Sequence, residues 1–222
     1  MHYDAVVFDN DGVLVGRTSY DVLQAAARDT FDQFNVDPTD DHVHDVTVGA
    51  TPSKVQQICD TYGIDRDEFW LARDRTSARF QKREVRQGRK TLYDDFDQLN
   101  ELGVPMGIVS SNQQATVDFI LDHYDVRDLF GTAIGREHTI QSLHRRKPNS
   151  HYIDRAIKHL DAENPLFVGD NESDVKAAEN AGIDSAFIRR PHREDWTLNV
   201  WPTWEIHELS DLHDLTKSVA KH

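Results

Sequence analysis

Two aspartates separated by one residue close the first apolar run of the chain, Val6-Val7-Phe8-Asp9-Asn10-Asp11-Gly12-Val13-Leu14. In extended backbone, residues two apart share a face. Asp9 and Asp11 therefore project side by side, and their repulsion raises one apparent pKa unless a cation or a shared proton intervenes. A packed core avoids such a pair, whereas a chemical site can use it. Gly12 permits a sharp turn and a close approach of backbone to a bound group. Asp-Asn-Asp-Gly also suits a solvated turn or a calcium loop, but the positions that follow supply no further acidic ligands, so the calcium spacing fails. Three further elements stand at comparable places: Ser110 after Met106–Val109, Lys147 beside Arg145 and Arg146, and the pair Asp170 and Asp174 after Leu166–Val168. In isolation Ser110 and Asp174 read as helix caps and Lys147 as a solvated lysine.

The elements that must hold these groups follow from periodicity. Ala5–Phe8, Met106–Val109 and Leu166–Val168 are short apolar runs ending in polar clusters, the pattern of buried parallel strands. Helical patterns cover 93–102, 115–123, 150–160 and 173–181, the first and last stopped by Gly103 and Gly182. This alternation predicts an α/β fold, a doubly wound parallel sheet that binds ligands beyond the carboxyl ends of its strands. From Arg17 to Lys90 only helical patterns occur, around 20–34, 53–62 and 68–85. That stretch predicts a small inserted α-helical cap domain, residues 17–90, over a catalytic core made of 1–16 and 91–222. Trp196, Trp201 and Trp204 are expected to cover the core, followed by a helical pattern over 210–219.

In their order along the chain, DNDGVL, IVSSN, the lysine of RRKPNSHYI and VGDNESD resemble the motifs of the haloacid dehalogenase superfamily. The resemblance covers the whole core, with the helical insertion between the first two motifs, as in phosphoglycolate phosphatase-like and β-phosphoglucomutase-like members. It implies that Asp9 is the nucleophile, becoming a transient aspartyl phosphate, and that Asp11 serves as general acid and then as base. It implies Mg²⁺ held by Asp9, Asp170 and the main-chain carbonyl of Asp11, with Asp174 supporting this shell or capping its helix. Ser110, with the backbone of Ser111 and Asn112, and Lys147 would bind the transferring phosphoryl group. Relatives often carry a second proline two positions after Pro148, and this chain does not. Asp11 argues against a dehalogenase, whose halide leaving group needs no proton. Phosphonate-cleaving relatives also lack that acid and use a cap lysine, so Lys54 alone does not make this chain one of them.

The implied function is a Mg²⁺-dependent phosphatase acting on a small phosphorylated metabolite. The alternatives are a sugar phosphomutase with the same core residues, a receiver domain phosphorylated on aspartate, and a binding protein that has lost turnover. A receiver is disfavoured because Asp9 lies on the first strand and a cap follows. Arg17, Thr51 and Lys54 are candidates for contacting the remote end of the substrate, and Arg145 and Arg146 are expected at the surface, with an approach of either to the site as the alternative. The net charge of −14, from 39 acidic against 25 basic residues, disfavours nucleic acid as a partner and suggests a salt-adapted, halophilic surface. No apolar run is long enough to span a membrane, no signal-peptide pattern opens the chain, and the lone Cys59 is expected to fill a core. The chain therefore reads as cytoplasmic, with no membrane partner.

Overall fold

The computed structural model describes residues 2–216. Six parallel strands form one sheet: β1 (Ala5–Phe8), β2 (Met106–Gln113), β3 (Thr132–Arg136), β4 (Pro165–Gly169), β5 (Asp184–Ile188) and β6 (Trp204–Ile206), in the order β3-β2-β1-β4-β5-β6. This is the doubly wound order. The direction of winding reverses beside β1, which opens a crevice at the carboxyl ends of β1, β2 and β4. The three predicted strands are the central three, and all four residues of β1 are buried. Alternate β1 side chains enter two cores. Val6 and Phe8 pack with Ile108, Leu166 and Val168, while Val7 packs with Val109, Phe167 and Tyr152.

Among the described residues eight helices accompany the strands: α1 (Tyr20–Gln33), α2 (Asp40–Thr47), α3 (Pro52–Tyr62), α4 (Arg66–Arg86), α5 (Gln114–His123), α6 (His151–Leu160), α7 (Glu172–Ala181) and α8 (Leu212–Thr216). The first four lie between β1 and β2. They share a core of Phe31, Val43, Val46, Val55, Ile58, Cys59, Phe69 and Trp70, into which Ile140 and Leu143 reach from the loop after β3. Cys59 is core filler, as expected. Helix α4 starts at Asp65, whose carboxylate accepts from the amides of Asp67 and Glu68 at 3.0 and 2.9 Å. Its mean hydropathy is low and its buried residues include Asp74, Thr76, Ser77, Gln81 and Glu84. A helix that buries polar groups is roofing a polar cavity rather than an apolar core.

The structure departs from the sequence reading in five places. Residues 93–102 were expected to be helical; only a 3-10 segment, Phe96–Glu101, forms. Helix α2 was not anticipated, because its eight residues, DDHVHDVT, carry too few apolar positions to show a period. Strands β3, β5 and β6 were not anticipated either. The first contains a glycine and ends in arginine, and the last is a three-residue edge. The tryptophans of the tail do not cover the core: Trp201 is 94% exposed and Trp196 about half exposed. The pattern over 210–219 is helical at 212–216, and its remainder lies outside the described residues.

Candidate active site

Backbone geometry brings Asp9, Ser110, Lys147, Asp170 and Asp174 together at the crevice. Asp9 follows β1, its amide donating to Val168 O at 2.8 Å, and Asp170 follows β4. Lys147, on the segment before α6, reaches back to place Nζ 2.8 Å from Asp9 Oδ1 and 2.6 Å from Asp174 Oδ1. Of the two roles expected for Asp174, the structure shows the one at the helix start, with Asp174 at the third position of α7. Its Oδ2 accepts from the amide of Asn171 at 3.0 Å, closing the capping box of α7, while Oδ1 faces Lys147. Gly12 has φ +89°, and a Cβ there would lie 2.5 Å from Asp170 Oδ2. The turn after Asp11 therefore passes Asp170 at a distance that only glycine allows.

Oxygens of Asp9, Asp170 and Asp174 lie within 4.8 Å of one another, and all three residues are buried. Lys147 among the three, with Arg193 3.6 Å from Asp170, still leaves one negative charge in excess at a largely buried place. Burial pushes the Asp9 carboxyl up to about 8; Lys147 opposes the rise, and Asp174 and Asp170 add to it. Burial likewise raises Asp174 against the pull of Lys147. Burial alone would lower Lys147, but Asp174 and Asp9 outweigh it and hold the ammonium well above its ordinary range. An all-oxygen donor set with charge to spare fits a hard divalent cation.

Asp11 stands apart from this cluster. Its Oδ1 pairs with Lys90, and its Oδ2 accepts from Asn112 Nδ2 at 3.1 Å. Burial opposes ionisation of Asp11, yet Lys90 and the amide donors prevail and its pKa is lowered. The sequence reading expected one carboxyl of the pair Asp9 and Asp11 to be raised. The structure assigns it to Asp9, because the cation beside Asp11 comes from the distal end of the insertion, 79 residues away. Lys90 is fully buried and also donates to Thr18 Oγ1 and Gln81 Oε1 at 3.0 and 3.1 Å. Nothing in the local sequence around Lys90 signals this role.

Ser110 is buried at the end of the apolar part of β2, where its Oγ accepts from the Asn112 amide at 3.1 Å. Ser110, Ser111 and Asn112 line a cavity of about 260 Å³ together with Asp9, Asp11 and Gln81. Asp170 and Asp174 line a smaller adjoining recess that Asp9 and Asp11 share. Helix α4 supplies Arg73, Ser77 and Gln81 to the larger cavity, spaced four apart on one face. Of the three expected remote-end contacts, Arg17 lines both spaces. Thr51 instead caps α3, and Lys54 pairs with Asp45 at 2.7 Å; neither lines the cavity. Arg146 was expected at the surface but lines the cavity, as do Arg73 and Arg136. His192 was missed as well: its Nε2 lies 2.6 Å from Asp170 Oδ2, while Arg193 Nε donates to Asp170 O at 2.8 Å.

The family model of haloacid dehalogenase-like hydrolases matches residues 6–188, and the chain belongs to that family. Among curated relatives it is similar to the pyrophosphatase PpaX of Oceanobacillus iheyensis, 22% identical over 96% of each chain. It is also similar to PpaX of Bacillus velezensis, 28% identical over 57% of this chain and 58% of that one. Its fold resembles that of a putative phosphoglycolate phosphatase from Lactobacillus plantarum (TM-score 0.66, 18% identity, 97% and 100% of the two chains). CbbY of Rhodobacter sphaeroides, solved in complex with phosphate, matches with TM-score 0.71 at 13% identity over 95% and 96% of the two chains.

Proposed function

We propose that the protein is a Mg²⁺-dependent phosphomonoester hydrolase that acts on a small phosphorylated metabolite, in the manner of phosphoglycolate phosphatases, through an aspartyl phosphate on Asp9. One observation carries the reading. A nearly buried carboxylate on the floor of a small cavity touches a lysine and stands among two further carboxylates. Membership of a hydrolase family and relatives named pyrophosphatase support it.

An Asp9 oxygen attacks phosphorus, and the bond from phosphorus to the leaving oxygen breaks. Lys147, fixed 2.8 Å from Asp9 Oδ1, holds positive charge beside the attacking carboxylate. Ser110 and the backbone of Ser111 and Asn112 donate to the phosphoryl oxygens. Asp11 hands a proton to the leaving alcohol, then takes one from the water that cleaves the acyl phosphate and restores Asp9. Because Lys90 holds Asp11 ionised, the acid half requires the carboxyl to leave Lys90, whereas the base half suits it as found. Asp9, Asp170 and the Asp11 carbonyl would hold Mg²⁺, with Asp174 fixed behind them by Lys147 and Asn171. When bound, the ion neutralises charge on the transferring phosphoryl group.

Helices α1–α4 act in this reading as a cap, residues 17–90, over the core. A cytoplasmic location and a salt-adapted surface belong to the same reading, supported by the excess of acidic residues. No helix among the described residues is long and apolar enough to cross a membrane. The test is phosphate release from a panel of small phosphate esters and pyrophosphate, with Mg²⁺ and with EDTA. Turnover that EDTA abolishes is expected. Release that persists in Asp9→Asn would overturn the proposal.

A further inference from the structure

The larger cavity has a second charged end that the hydrolytic chemistry leaves unused. Arg73 on α4, Arg136 at the end of β3 and Arg146 beside Lys147 all line it. Arg73 and Arg136 share a single carboxylate oxygen, Asp74 Oδ1, at 3.2 and 2.6 Å. Arg146 has no acidic partner among the described residues; one Nη donates to Ala50 O. Its remaining donors are uncommitted, so a planar fork is free for a bidentate acceptor. The guanidinium groups of Arg73 and Arg136 lie 4.9 and 5.3 Å from the Trp70 ring centre. Trp70 is 1% exposed and lines the cavity, and its Nε1–H has no acceptor among the described residues. Buried donors without acceptors are rare in folded proteins and call for an explanation.

Charge leads to the same place. Burial lowers the pKa of Arg146, and Arg136 and Arg73 lower it further by repulsion. Burial lowers Arg73 too, with Asp74 opposing and Arg136 adding. Arg73 and Arg136 share one carboxylate, and Arg146, repelled by both, has no acidic partner among the described residues, so positive charge is in excess here within a chain of net charge −14, an arrangement costly to bury unless an anion completes it.

We propose that Arg146, backed by Arg73 and Arg136 beside the Trp70 ring, is a subsite for a second anionic group of the substrate. That group is a carboxylate or phosphate at the end remote from the phosphoryl group that Asp9 attacks. The inference rests on the phosphatase reading of the same cavity. Asp74 is then a positioning residue, holding Arg73 and Arg136 together from behind. A volume of about 260 Å³ lies at the lower end of the range typical of ligand pockets and fits a small substrate whose two anions are separated by a few atoms.

The test compares three esters of matched length: 2-phosphoglycolate, 1,2-ethanediol bisphosphate and 2-hydroxyethyl phosphate, whose remote end is uncharged. For the unaltered protein, kcat/KM for at least one doubly anionic ester is expected to exceed that for the uncharged-end ester by about 10- to 100-fold. Which of the two is favoured tells carboxylate from phosphate. In Arg146→Gln that ratio falls to about one, mostly through KM, and in Arg146→Lys, which keeps the charge but loses the fork, it lies between. A ratio near one in the unaltered protein, or one that both variants preserve, overturns the subsite and leaves the arginines as a structural cluster. If no ester is hydrolysed, the phosphatase reading fails while the subsite is still read by calorimetry with the same compounds. Tighter binding of a doubly anionic ester that Arg146→Gln abolishes supports the subsite, and equal affinity for all three overturns it.

Discussion

Two ionic clusters with opposite imbalance line adjoining spaces. At the strand ends, three carboxylates, Asp9, Asp170 and Asp174, stand around Lys147, with Arg193 3.6 Å from Asp170. Beside them, Arg73 and Arg136 share one carboxylate, Asp74, and Arg146 lines the same cavity without an acidic partner among the described residues. Each is short of charge in the sense that the other has it in excess, yet neither neutralises the other, because each is fixed to a different part of the fold. A structural ion cluster tends toward pairing, since an uncompensated buried charge costs several kcal/mol. A site can instead leave the missing charge to be supplied by what it binds. The carboxylate cluster lacks a cation and the arginine cluster lacks an anion, and a phosphorylated anion bound with a divalent cation supplies both.

The largest effect expected separates the clusters by chemistry. Asp9→Asn removes the carboxylate proposed to attack phosphorus, and steady-state phosphate release should fall by about four orders of magnitude or more. Rapid quenching of the unaltered enzyme should trap phosphate on Asp9 and none in the variant. A variant that turns over at wild-type rate would show that the carboxylate end is not where the reaction occurs.

Asp74→Asn probes the other cluster, and its effect should appear in stability. It leaves Arg73 and Arg136 buried without a counter-charge, at a cost of about 3–5 kcal/mol, measured by urea denaturation at neutral pH. The cost should depend on pH. Burial alone would raise the Asp74 pKa, but His138, Arg136 and Arg73 outweigh it and hold the carboxyl well below the usual carboxylate range. A depressed folded-state pKa contributes stability that is fully present above the unfolded value of about 3.9 and is lost as pH falls through the folded value. The stability gap between the two proteins should therefore be constant above about pH 5 and narrow below about pH 4. A constant gap into acid would mean that the Asp74 charge holds nothing together.

How much of this was legible in the sequence also divides between the clusters. Asp9 and Asp170 directly follow short, fully buried strands and Asp174 lies in the first turn of the helix that comes next, so an apolar run followed by acids marks them, and the parallel sheet follows from the same runs. The arginine cluster has no such mark. Arg73 belongs to a helix whose charges look like a solvated face, Arg136 ends a strand that its glycine conceals, and Arg146 sits in a basic triplet. They meet only because α4 crosses the ends of β2 and β3, as Gln113 Nε2 donating to Asp74 Oδ1 at 3.1 Å shows. Lys90 and His192 escaped notice for the same reason, since contacts made through space leave no period along the chain.

A smaller effect sharpens the contrast at the carboxylate end. Mg²⁺ at about a hundred times its dissociation constant should stabilise the protein by about 2.7 kcal/mol, seen as a rise in melting temperature. In Asp170→Asn that rise should be largely lost, whereas in Arg146→Gln it should be kept. Loss in both variants would join the two clusters into one binding unit and erase the distinction between them.

The smallest effect is expected from Lys54, a cation of the same helical region that belongs to neither cluster. Its ammonium is paired with Asp45 at 2.7 Å, both side chains are substantially exposed, and it does not line the cavity. Exposed pairs of this kind contribute about 0–1 kcal/mol, so Lys54→Met should move stability by no more than that. It should leave kcat/KM for any ester within about twofold, in contrast to Arg146→Gln, although both remove one positive charge from a chain of net charge −14. Equal losses in the two variants would mean that the protein attracts its substrate by overall charge. A loss confined to Arg146→Gln would mean that a local arrangement of guanidinium groups does so against the overall charge.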